Sequence, residues 1–179
     1  MSISGNGRHA RTAAPGSGYR GIVRYVIRER LLSLFDTYTV QDDQGRPALE
    51  IRGKLSWSGE DVAFVDGAGV EQARLRRRVF ALTPTFELTQ GERVVARIEK
   101  EMSFFSCRFL VDGPGDYDLD IQGNFTDREY EVWRSGRLIA RVSKRLGTVT
   151  DHYGIETARG EQDLLIVAAA IAIDRACHD

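Results

Sequence analysis

Ten consecutive apolar residues, 164–173, lie near the end of this chain, behind roughly 140 residues patterned as short strands. A helix that is apolar on every side cannot rest on a protein surface, because part of it would always face water. It needs a wrapping of strands, a bilayer or a partner. Ten residues rise only about 15 Å, half of the roughly 30 Å hydrocarbon core, so length argues against a membrane span. Ala168, Ala169, Ala170 and Ala172 permit close approach, and the branched residues between them fill gaps. Glu161 and Asp163 precede the apolar run while Arg175 and His178 follow it, which suits the helix dipole. A helix over about residues 161–177, enclosed as a plug, is the expectation.

The preceding sequence supplies the wrapping. Gly45, Gly69, Gly91, Gly115, Gly136 and Gly160 recur at intervals of 21 to 24 residues, a period that suits one hairpin and its connection. The first five fall where hairpin turns require positive φ, and Gly160 separates a strand from the final helix. Between the turns the residues alternate. Leu49 and Ile51 oppose Glu50 and Arg52; Val94, Ala96 and Ile98 oppose Arg97 and Glu99. Tyr117, Leu119 and Ile121 oppose Asp116, Asp118 and Asp120, and Leu138, Ala140 and Val142 oppose Arg141 and Ser143. These are half-buried antiparallel strands. Ten strands flank the first five turns; one near residues 25–28 and one near 148–157 make twelve. A sandwich would cover only one side of the helix, whereas a wide closed barrel needs something to fill it. The predicted fold is a mainly β, twelve-stranded antiparallel closed barrel around a buried C-terminal helix.

With 25 basic against 26 acidic side chains the net charge is -1, so no global field favours nucleic acid. Cys107 and Cys177 have no metal-type spacing, and a cytoplasmic location, with peripheral membrane contact as an option, is expected. Residues 1–21, rich in Ser, Gly and Ala, offer little to bury and are expected to be a disordered tail, leaving 22–179 as the domain.

Arg74, Arg76 and Arg78 share one face of a strand about 7 Å apart, a pitch at which planar guanidinium forks can grip an anionic headgroup. A solvated face paired with neighbouring acids is the competing reading. Arg77 falls on the face of Leu75, which implies a bulge, a strand end or a buried ion pair. Lys54, Lys100 and Lys144 close similar strands at intervals of 46 and 44 residues and join the arginines as anion candidates. Asp112, Asp116, Asp118 and Asp120 form an acidic counterpart. A calcium loop starting at Asp116 would need Gly and Glu where Ile121 and Asp127 stand, so a wet strand face is favoured and no metal is expected. His152 has no nucleophilic partner in view, Cys107 reads as core, and Trp57 and Trp133 read as core or barrel-end packing. No cofactor and no catalytic group are expected.

Several segments in order resemble the LURP-one-related family, within the tubby C-terminal-like superfamily that includes phospholipid scramblases. They are Tyr25-Val26-Ile27-Arg28-Glu29-Arg30, Asp42-Asp43-Gln44-Gly45-Arg46-Pro47, Ile51-Arg52-Gly53-Lys54 and Ala96-Arg97-Ile98-Glu99-Lys100. Ile121-Gln122-Gly123-Asn124-Phe125, Ile139-Ala140-Arg141-Val142-Ser143-Lys144 and Tyr153-Gly154-Ile155-Glu156 continue the likeness over roughly residues 22–178. The resemblance implies a twelve-stranded barrel around a central helix. It also implies a non-enzymatic binding or scaffold module, with anionic phospholipid as ligand in the manner of tubby domains. A protein-interaction module is the alternative, and a scramblase-like lipid protein the third expectation.

Overall fold

The structure, a computed structural model, describes residues 22–29, 37–54, 61–102, 107–115, 118–144 and 153–178; the expected tail lies outside them. Twelve strands precede one helix. They are β1 (Ile22–Glu29), β2 (Thr37–Asp42), β3 (Pro47–Lys54), β4 (Asp61–Val65), β5 (Glu71–Arg77) and β6 (Thr85–Gln90). Then come β7 (Arg93–Met102), β8 (Cys107–Asp112), β9 (Leu119–Asn124), β10 (Glu129–Arg134), β11 (Arg137–Ser143) and β12 (Tyr153–Ala158), followed by α1 (Asp163–His178). Each strand pairs antiparallel with its sequence neighbour, and β1 pairs with β12 to close the barrel. Closure leaves no free sheet edge among the twelve described strands.

The sequence periodicity and the barrel width explain each other. Twelve strands spaced about 4.8 Å apart and tilted about 40° give a backbone cylinder roughly 24 Å across. One layer of inward side chains, about 5 Å deep on each wall, leaves a bore close to the 10–12 Å diameter of a helix. Helix α1 fills it. Residues 165–173 of the helix are all at most 2% exposed, packed among Ile27, Ile51, Phe64, Leu88, Ile98 and Phe109 from the strands. No helix among the described residues is long and apolar enough to cross a membrane.

The turn glycines do what the spacing implies. Gly45, Gly69, Gly91, Gly115 and Gly136 all have φ between 59° and 82°, and Gly160 has φ 87°. Two turns repeat one device: the carboxylate of Asp42 accepts from the backbone N–H groups of Gln44 and Arg46, and that of Asp66 from Ala68 and Val70. The five hairpin turns and the start of α1 lie at one end of the barrel, the turn end. The β5–β6 and β9–β10 connections and the C-terminus of α1 lie at the other, the loop end.

Simple alternation fails at four β-bulges. Ala48, Gln72, Val95 and Ile139 are each skipped in the pairing, always shortly after a turn. A bulge inverts the facing of what precedes it. Val94, expected on the inner face with Ala96, is therefore 46% exposed, and Val95 takes its place at 7%. Ile139 is likewise buried beside Ala140, leaving Leu138 only half-buried.

Polar contacts hold the plug at both ends. Tyr25 Oη and Thr157 Oγ1 each donate to the Asp163 carboxylate at 2.7 Å, and burial together with this bond pushes the Tyr25 hydroxyl pKa up. Glu161, in the turn entering α1, accepts from Arg134 and from Arg137 at 2.6 Å. At the loop end Arg128 Nε donates to Asp174 at 2.5 Å, and Arg175, 5% exposed, sits 5.9 Å from the Tyr38 ring centroid.

Candidate functional site

Strand β5 carries its arginines outward because Ala73 and Leu75 alternate inward onto the core. Acids from β5 itself and from the flanking strands meet them. Arg74 makes a two-pronged contact with Glu71 (2.5 and 3.0 Å), and Arg76 Nε donates to Asp61 on β4 at 3.0 Å. Arg78 donates to Glu87 on β6 at 2.7 Å, and Arg97 on β7 reaches the same oxygen at 3.2 Å. The Arg78 bond is the foremost cause holding the Glu87 carboxyl below its ordinary value. These pairs are largely solvated, so each contributes only about 0–1 kcal/mol and can be exchanged for another anion.

Arg77 resolves the ambiguity of its position. It is exposed at the end of β5, its guanidinium 6.0 Å from the Phe86 ring centroid, and no acid among the described residues pairs with it. Beyond it the chain leaves the barrel as a short protruding loop. The backbone N–H of Arg78 donates to the Thr85 carbonyl (2.8 Å), and that of Lys100 to the Pro84 carbonyl (3.0 Å), so the base of the loop is pinned to β6 and β7. Above this base Val79, Phe80 and Leu82 are 60%, 101% and 107% exposed.

The three lysines share an end of the barrel but not a site. β3, β7 and β11 are four strands apart in the ring, which places their ends roughly 20 Å from one another on a barrel of this width. Lys100 is half-buried, with Nζ 4.0 Å from Cys177 Sγ near the C-terminus of α1. Lys144 is exposed just after β11, and the Lys54 side chain lies outside the described residues.

Three of the four acids of the acidic group do come together. An open groove of about 870 Å³ runs over the outside of β7–β10 near the turn end, with Leu110 and Trp133 among its walls and Glu99, Asp112, Asp118 and Asp120 around them. Trp133 is thus half-buried on an outer wall, not in the core. Asp118 accepts from the Gly113 N–H, and Asp120 from Gln122. No group of three or more His, Cys, Asp or Glu among the described residues is placed to hold a metal ion. Asp116, His152, Trp57 and the Cys107 side chain lie outside those residues.

The loop at 79–82 is the feature that reading for chemistry passed over. Its signal was present, since a basic run passes directly into Val-Phe-Ala-Leu. Only the structure shows that these side chains cover nothing.

A family model described as LURP-one-related matches residues 23–174, most of the chain. The chain belongs to the LURP-one-related family. This LURP-one-related chain is 20% identical over 158 residues to the uncharacterized protein YxjI of Bacillus subtilis (strain 168), covering 88% of this chain and 96% of that protein. In fold it is similar to an Arabidopsis thaliana protein solved by X-ray crystallography. The TM-score is 0.62 at 11% identity, over 86% of this chain and 90% of the other.

Proposed function

We propose that this LURP-one-related protein is a non-enzymatic, tubby-like binding module that docks on anionic phospholipid headgroups at the loop end of the barrel. The observation that supports it is Arg77, exposed without an acid partner among the described residues and flanked by Arg76 and Arg78. The flanking pairs are solvated, so phosphate oxygens can displace their carboxylates at little cost. Arg74, Lys100 and Lys144 then act as background charge, not as one grip.

Flotation with phosphatidylcholine vesicles, with and without phosphatidylserine, tests this. Binding should require the anionic lipid and weaken as salt rises. The combined Arg76→Gln, Arg77→Gln, Arg78→Gln variant should bind on the order of a hundredfold more weakly, since each basic group near such a surface contributes about 1 kcal/mol. Neutral replacements avoid setting acid against Asp61 and Glu87. Equal recovery with both vesicle types would remove the reading. A second reading, a protein-interaction module, draws on the groove beside Trp133, whose acidic rim and apolar wall suit a basic peptide. It predicts that a Trp133→Ala variant loses a partner while vesicle behaviour is unchanged.

A further inference from the structure

We infer that the β5–β6 loop, residues 79–82, is a membrane anchor whose apolar side chains enter the interfacial layer of an anionic bilayer. The inference rests on the headgroup reading above and adds to it a second, non-electrostatic contact. Single exposed apolar side chains are ordinary on protein surfaces. Three within four residues, two of them fully exposed, are not. The loop also differs from the turns at the opposite end, whose described residues are mostly Gly and polar side chains, with Val70 their one exposed large apolar residue. Phe80 and Leu82 contribute nothing to the core, so folding does not explain them.

What covers them is indicated by their surroundings. The apolar tip follows Arg76, Arg77 and Arg78 without a gap, and its base is pinned by the Arg78–Thr85 and Lys100–Pro84 backbone bonds. A pinned base projects the tip from the barrel and loses little freedom on binding. Apolar side chains at the tip with cations one turn behind are complementary to a layer of acyl chains topped by negative headgroups. An apolar protein pocket would have no use for the basic collar, and a purely acidic protein surface none for the apolar tip.

The test uses two variants of the full chain. Phe80→Ser with Leu82→Ser removes the tip without touching the core, so its thermal midpoint should match the parent's. On phosphatidylserine-containing vesicles it should lose on the order of a hundredfold in partitioning. Phe80→Trp places a reporter at the tip, read as a difference from the parent with its own Trp57 and Trp133. Its emission should shift to the blue on anionic vesicles and be quenched by lipids labelled in the upper acyl chain. Normal anionic binding by the Ser variant, with no shift in the Trp variant, would overturn the anchor and leave the headgroup reading standing. No vesicle binding by the parent would overturn both. If the parent self-associates in sedimentation and the Ser variant does not, with vesicles ignored, the tip is a protein contact and the anchor is likewise overturned.

Discussion

Gly123 and Gly45 both adopt positive φ, yet they stand in different surroundings. A Cβ on Gly123 (φ 149°) would lie 2.5 Å from both the Glu129 carbonyl oxygen and Tyr130 Cα, while one on Gly45 (φ 75°) would meet nothing within 4 Å. Gly123→Ala should therefore cost about 2–3 kcal/mol or more, through backbone strain plus a clash with an immovable neighbour. Gly45→Ala should cost about 1 kcal/mol, from left-handed backbone strain alone. Urea unfolding midpoints of the two variants check the order; equal losses would mean that φ alone matters. Glu161 is a different case. Its side chain is 5% exposed and Arg134's 15%, so Glu161→Gln leaves a largely buried guanidinium without its countercharge. About 3 kcal/mol of destabilisation is expected, and an unchanged melting temperature would contradict it. Asp42 and Asp66 are held below their ordinary values foremost by backbone N–H bonds, and Glu87 by Arg78. Depressed carboxyl values in the folded state mean stability that is present above the unfolded value, near 4, and lost as pH falls through the folded ones. The urea midpoint should therefore drop from pH 5 to pH 2, and by less in an Asp42→Asn, Asp66→Asn variant.

At the scale of elements, α1 and the bulges teach opposite lessons. Ala169 is 0% exposed in the middle of the plug, so Ala169→Asp would bury a carboxylate among aliphatic side chains with no donor to satisfy it. Loss of the folded state is expected, read as collapse of near-ultraviolet circular dichroism. A soluble, normally melting variant would mean that the helix is not enclosed. The plug was legible because a helix apolar on all sides leaves few environments to choose among. The bulges were harder to read, although paired apolar residues after a turn, Val94-Val95 and Leu138-Ile139, carry the trace of an extra residue. Period-two counting assigns such a pair to opposite faces; the pairing partners determine which of the two turns inward.

For the molecule as a whole, barrel and helix depend on each other. A twelve-stranded ring without α1 would leave an apolar bore roughly a helix wide, and no rearrangement of its own side chains fills that volume. A chain ending at residue 160 should therefore not form a cooperative fold, as dispersion in proton NMR spectra would report. A compact, sharply melting truncated chain would show that the strands close without their filling. The same closure sets the candidate residues apart. Lys54, Lys100 and Lys144 repeat along the sequence like a motif, but four strands of separation distribute them around the rim.

Spacing and periodicity alone determined the strand count, the turn positions and the burial of the last helix. These follow from local backbone rules and from the need to hide a continuous apolar surface. Only the tertiary structure decided which cations meet acids and which do not. Asp61 and Glu87 lie 15 and 9 residues from the arginines they pair with, brought alongside by strand register. It also decided that Phe80 and Leu82 face outward, since the exposure of a side chain depends on what the rest of the chain brings to cover it, and none of the described residues does so here.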